Sequence, residues 1–169
     1  RTGKMFAFEW TGITPDILVL SKALGGGMPL GAFISSHKVM LSLTINPALG
    51  HITTFGGHPV SCAAGMASLG VITRNELHLK AVEKSDLIRK YLVNSAVKEI
   101  RGKGLLLAAE TGSRHLTEQI IRKAPEYGLL LDYFLFCDTA FRIAPPLTIS
   151  NDEIDEACGK LNTLLNSLK

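Results

Sequence analysis

Hydrophobic and polar positions change period several times along this chain of 169 residues. In Asp16-Ile17-Leu18-Val19-Leu20 four aliphatic side chains follow one carboxylate without a break, which predicts a short strand buried on both faces. Lys22 comes directly after it, and Gly25-Gly26-Gly27 follow within the same turn. Met28 to Ser36 mixes small and apolar residues and predicts a second strand, with a short helix from about Ser36 to Leu43. A loop rich in turn formers runs from Asn46 to Pro59. Proline is favoured in a helix's first turn, so Pro59 marks the start of a helix over Val60 to Val71. Its Ala63, Ala64, Gly65 and Ala67 permit close packing, and the helix is expected to be buried.

From Asn75 the pattern becomes amphipathic. Leu77, Ala81, Ile88, Tyr91 and Leu92 hold helical spacing, while Lys80, Glu83, Lys84, Asp86, Arg89 and Lys90 fill the opposite face. A compact α+β unit is expected beyond it. Ile100 to Gly104 reads as a turn into the strand Leu105 to Glu110. A helix over Leu116 to Ala124 ends at Pro125 and Gly128, and Leu129 to Phe136 and Ala140 to Ile143 read as two strands. The last helix is the clearest: Ser150 and Glu153 form a capping box, and Ile154, Ala157, Cys158, Leu161, Leu164, Leu165 and Leu168 make one apolar stripe. That stripe is core and carries no chemistry.

Composition narrows the function classes. Hydrophobic residues make up 46% and charged residues 20%, a globular balance. A mean hydropathy of +0.22 leans towards a chain that buries more than its own fold requires, as an obligate subunit does. The net charge of +3 comes without a long block of like sign, so nucleic-acid binding has little support. Cys62, Cys137 and Cys158 are widely spaced and lack any C-x-x-C pattern, so neither a disulfide framework nor a metal site is indicated, and a reducing, cytoplasmic setting is expected. No stretch reads as a membrane span or a signal segment.

Four residues carry candidate chemistry. Lys22 stands at the carboxyl end of a strand, where open α/β sheets place ligands, and the glycines behind it remove side-chain bulk, so that a flat group is expected to approach the backbone there. A primary amine can condense with an aldehyde, and partial desolvation eases its deprotonation; arginine can do neither. Thr53 and Thr54 precede the helix that begins at Pro59, and hydroxyls with unpaired N–H groups ahead of a helix suit an anion such as phosphate. Arg142 ends the last strand, where its planar fork can make two parallel bonds to a carboxylate. Taken singly, each is an ordinary loop or surface side chain. The five histidines show no metal-ligand spacing.

Four motifs in order change those odds. The opening Arg1-Thr2-Gly3, the run DILVLSKALGGGMPLGAF from Asp16 to Phe33, T-F-G-G-x-P from Thr54 to Pro59 and FRIAPPLTIS from Phe141 to Ser150 together resemble the class III aminotransferases, the family of ornithine and acetylornithine aminotransferases. The R-G-x-G-L pattern at Arg101 to Leu105 recurs there too, at the start of the small domain. The resemblance implies an α/β chain of fold type I. Residues 1–75 would be the carboxyl-terminal part of the large, cofactor-binding domain, and residues 76–169 an interdomain helix with the small α+β domain.

It also implies pyridoxal 5'-phosphate as cofactor, Lys22 as its Schiff-base lysine, Thr54 as a phosphate ligand across a homodimer interface with Thr53 as its neighbour, and Arg142 as the receiver of the substrate carboxylate. The reaction would be transamination between a small-molecule amino donor and a 2-oxo acid, the glutamate and 2-oxoglutarate pair being the common one. One departure is His58, where the family has asparagine; no catalytic role is expected for it. The family's glycine-serine phosphate loop, ring-stacking aromatic and pyridine-pairing aspartate lie upstream of the Arg-Thr-Gly turn. The chain is therefore expected to be the carboxyl-terminal portion of a longer protein and inactive alone. Two alternatives stay open: another reaction on the same fold, such as a decarboxylase or aminomutase, and a non-catalytic fragment that serves only for dimerisation or binding.

Overall fold

A computed structural model describes residues 1–168 of the chain, whose contacts divide it into two units. Phe8–Glu76 forms one; Arg1–Ala7 joins residues 77–168 in the other.

In the first unit, β1 (Ile17–Leu20) pairs antiparallel with β2 (Ala32–Ser35), with Leu18 opposite Ile34 and Val19 opposite Phe33. This two-stranded ribbon differs from the expected buried strand: Val19 is 73% exposed and Ile17 is exposed as well. Two strands have no second layer to cover both faces, so an unbroken aliphatic run does not become interior here. A short helix, α1 (His37–Leu41), follows, capped by the Ser36 side chain accepting from the Val39 N–H. The long helix α2 (Pro59–Arg74) starts at its proline as the sequence predicts, yet it too departs from expectation. Only Ser61 and Gly65 are buried along it, and Met66 is 74% exposed. Its small residues form one narrow contact stripe, not a helix enclosed on all sides.

The second unit is a four-stranded antiparallel sheet with helices. Its strands are β3 (Glu99–Lys103), β4 (Leu106–Glu110), β5 (Asp132–Phe134) and β6 (Cys137–Ile143), in spatial order β3-β4-β6-β5. Its helices are α3 (Ala81–Tyr91), α4 (Arg114–Lys123) and α5 (Asn151–Asn166). Ile100 to Gly104, expected as a turn, is mostly strand β3, whose Gly102 sits opposite Leu107. The turn itself is tighter and later, at Gly104-Leu105. Gly104 has φ +52°, and a β-carbon on it would collide with the Arg1 carbonyl, the same oxygen that accepts the Leu105 N–H at 2.8 Å. The opening Arg-Thr-Gly segment and the R-G-x-G-L turn therefore meet in space.

Successive residues of a strand face opposite sides. Ala140 and Phe141 are both fully buried, so β6 is covered on both faces. Phe141 joins Leu105, Leu107, Ile120, Ile154, Leu164 and Leu165 in the core. The predicted capping box closes α5: the Ser150 hydroxyl accepts from the Glu153 N–H and the Glu153 carboxylate accepts from the Ser150 N–H.

Candidate active site

Lys22 opens a single 3-10 turn, Lys22–Gly25, immediately after β1. Its φ is +54°, in the left-handed region where a β-carbon is crowded. Ser21 before it is fully extended, so the chain reverses hand at the lysine. A non-glycine residue persists in that region only where its surroundings dictate it. Here they do: the turn is closed by Leu24 N–H to the Ser21 carbonyl at 3.2 Å and Gly26 N–H to the Ala23 carbonyl at 3.1 Å. Helix α2 presses against it from one side. The Lys22 side chain is exposed, and among the described residues no carboxylate pairs with it.

The glycines behind Lys22 do something other than the sequence suggested. A β-carbon on Gly26 would lie 2.7 Å from Ser68 Cβ and 2.8 Å from the Ala64 carbonyl oxygen, and one on Gly65 would lie 2.7 Å from the Leu24 carbonyl oxygen. Backbone from the lysine turn and backbone from α2 thus meet directly, each through the other's missing side chain. The bulk removed at Gly26 makes room for the helix and not for a ligand. Gly27 alone faces open space, at φ +104°.

Thr53 and Thr54 lie on the exposed loop ahead of α2. With Phe55, Gly56 and Gly57 they form one wall of a cleft of about 480 Å³, and Pro29, Leu30 and Gly31 form the other. The Gly56 N–H closes a turn on the Thr53 carbonyl, and a β-carbon on Gly56 would press on Thr53 Oγ1 at 2.7 Å. His58 precedes the first helical residue without capping it; its ring stands tilted 6.3 Å from that of Phe55. The lysine turn meets α2 around Gly65, about two turns, or roughly 10 Å along the axis, from the loop at its start.

Arg142 belongs to the second unit. On β6 it is opposite Ala108 of β4 on one side and Asp132 of β5 on the other, and its guanidinium forms an ion pair with the Asp132 carboxylate. It also lies at the edge of a small apolar cavity of about 140 Å³ lined by residues such as Leu131, Ile143, Pro145 and Leu161. Sequence reasoning missed Asp132. Nearby it missed a second cluster: Arg101 on β3 pairs with Glu110 on β4 at 2.8 Å and donates to Cys137 Sγ at 3.3 Å. Hydrogen bonds from the Thr139 hydroxyl, the Arg101 guanidinium and the Gly112 N–H hold the Glu110 carboxyl down at about 2. Burial pushes the Cys158 thiol of α5 up to about 11, which leaves it protonated and inert. Among the described residues no cluster of metal-ligating side chains is found, and no helix is long and apolar enough to cross a membrane.

Comparison with known proteins agrees with the motifs. The family model described as "Aminotransferase class-III" matches residues 1–165. The acetylornithine aminotransferase of Methanocaldococcus jannaschii is 38% identical over all of this chain, which covers 42% of that protein. The crystal structure of acetylornithine aminotransferase from Elizabethkingia anophelis superposes with a TM-score of 0.86 at 31% identity, over 99% of this chain and 43% of that one. A structure of ornithine aminotransferase from Toxoplasma gondii, which has partial occupancy of PLP at its active site, gives 0.85 at 30% identity, over 99% of this chain and 40% of that one. The chain thus spans about two fifths of the length of these relatives. A family match over nearly the whole chain, carried by the same fold, means that this chain belongs to the class-III aminotransferases, the pyridoxal-phosphate-dependent enzymes of fold type I.

Proposed function

We propose that the chain supplies the lysine, the phosphate-binding threonines and the carboxylate-binding arginine of an enzyme that transfers an amino group from an amino acid or ω-amine to a 2-oxo acid, with glutamate and 2-oxoglutarate as the pair. The observation that carries this reading is Lys22: an exposed primary amine on a left-handed turn at the end of β1, held there by backbone contact with α2. The donor set fits pyridoxal phosphate. It offers an amine for the aldehyde, hydroxyls beside a cleft for the phosphate, and a guanidinium for a carboxylate.

When bound, pyridoxal phosphate supplies an aldehyde that bonds to amines and a ring that draws electrons from the neighbouring carbon. Lys22 would be the residue that holds the cofactor covalently, and its Nζ would be the base that carries the proton. Thr54, with Thr53 beside it, donates hydroxyl hydrogen bonds to phosphate. A homodimer in which the threonines serve the partner subunit's cofactor is part of this reading. Arg142 orients the substrate by two parallel bonds to its carboxylate. A reducing, cytoplasmic setting suits three unpaired cysteines.

Reduction with borohydride in the presence of pyridoxal phosphate, followed by intact mass and a peptide map, tests the reading. A single adduct on Lys22, absent from Lys22→Ala, is expected; adducts scattered over many lysines overturn it. These 169 residues cover about two fifths of their relatives, and we further propose that alone they trap cofactor without turnover. Formation of 2-oxoglutarate from glutamate by the 169-residue chain would overturn that.

A further inference from the structure

We propose that Lys84 of α3 is a positioning residue for Arg142, acting through the turn that follows β6. The inference rests on the reading of Arg142 as the carboxylate receiver. Arg142 is the last residue of β6 with a partner strand on each side, and Ile143 is paired with Leu107 of β4 alone. The arginine thus sits where the sheet's grip on the strand ends. Beyond it the chain leaves the sheet as Ala144-Pro145-Pro146-Leu147 and reaches α5 at Asn151. The two prolines have no N–H to donate and cannot extend the ladder. Within the turn the Ile149 N–H donates to the Pro146 carbonyl at 3.1 Å. The Leu147 carbonyl is met from outside the turn: Lys84 Nζ, 63 residues earlier in the chain, donates to it at 2.7 Å.

Packing beneath the turn is incomplete. The apolar cavity of about 140 Å³ is lined by Ala144, Pro145 and Ile149 of this segment, by Ile154 and Leu161 of α5 and by Ile88 of α3. Side chains that face a void lose contacts on that side, so the bond from Lys84 locates the turn where packing does not. Lys84 stands one helical turn before Ile88 on the same face of α3. Its charge also reaches the start of α5. Hydrogen bonds from the Ser150 N–H and hydroxyl hold the Glu153 carboxyl below the usual carboxylate range, and the Lys84 ammonium adds to that shift. One cation thus links α3 to the turn and to the cap of the helix that follows it. Removing the donor leaves the Leu147 oxygen unpaired, and the turn can then shift together with the strand end that carries Arg142. A guanidinium fork needs two N–H donors aligned at once. A small displacement therefore costs carboxylate binding, while Lys22, in the other unit, keeps its own contacts.

Calorimetric binding of glutarate, a dicarboxylate that cannot react, to the full chain loaded with pyridoxal phosphate tests this. Lys84→Met keeps the apolar stem and removes the donor, whereas Lys84→Arg keeps a donor. Lys84→Met is expected to weaken glutarate about 3–10-fold, with faster amide exchange at Thr148 and Ile149 and the selective adduct on Lys22 unchanged. Lys84→Arg should recover most of the loss. Arg142→Gln, which removes the charge and the fork, should weaken glutarate about tenfold or more. Added to Arg142→Gln, Lys84→Met should change binding by less than about 1.5-fold, because residues that act through one another are not additive. Unchanged binding in Lys84→Met, alongside a loss in Arg142→Gln, overturns the positioning role and leaves the arginine reading intact. An equal loss from Lys84→Met in both backgrounds overturns the role too, since the lysine then acts on the fold at large. Unchanged binding in Arg142→Gln overturns both. Lys84→Gln, checked by circular dichroism, repeats the loss of reach with a shorter polar side chain and should give the same direction of change.

Discussion

Every buried hydrophobic side chain among the described residues lies between Ala81 and Leu165. Residues 8–76 are no poorer in aliphatics, but what they bury is Gly25, Ser61 and Gly65. Val19, Phe55 and Met66 stand more than 70% exposed in that unit. The second unit packs its sheet and helices around one core, and leaves Leu130, Leu135 and Phe136 exposed along its β5–β6 hairpin. The first is held by backbone contact between the lysine turn and α2, and it turns its apolar side chains outward. Apolar area on that scale marks a surface meant to be covered. The functional lysine and the threonines sit in the unit that lacks a core of its own, which accords with the proposed dimer and makes their geometry depend on cover.

The largest effect that tests this contrast is in the core. Phe141→Ala should cost about 3–5 kcal/mol in urea unfolding followed by circular dichroism, whereas Val19→Ala, the removal of an exposed side chain, should stay within about 0.5 kcal/mol. Similar costs at the two positions would break the comparison. Next comes Gly65→Ala. Its β-carbon has no room between the Leu24 carbonyl and the Leu30 methyl, 2.7 and 2.8 Å away, so about 1–3 kcal/mol of strain is expected. Hydrogen exchange should rise in Lys22 to Met28 with residues 77–168 unaffected, and the selective adduct on Lys22 should be lost.

The smallest effect sharpens the description of the second unit. The Glu110 carboxyl is lowered from 4.5 to about 2. Its stabilisation is fully present above the ordinary value and disappears as the pH falls through that value towards 2. Glu110→Gln should therefore lose about 1 kcal/mol or less at neutral pH. The gap to the unsubstituted protein should close between about pH 4.5 and 2. A gap that persists at pH 2 would assign the loss to packing.

How much of this was legible in advance follows the range of the interactions. Helix α5 could be read in full, because its capping box and apolar stripe are contacts between residues three or four apart. Lys22, Thr54 and Arg142 were legible as motif positions. Strand β3 was misread as a turn because Gly102 and Gly104 look like punctuation. Gly102 is instead inside the ladder at φ +127°, where a β-carbon would strike the Leu106 carbonyl. Asp132 could not be matched to Arg142, since the hairpin between them turns at Leu135-Phe136 with no glycine or asparagine and carries an irregular register at Tyr133 and Phe134. By itself the sequence determined the order of most elements, the capping box of α5 and the reactive amine, all written in local period and residue type. Only the tertiary structure decided which aliphatic runs become interior, what fills the space at Gly26 and which anion meets Arg142, because burial and pairing depend on segments far apart in the chain.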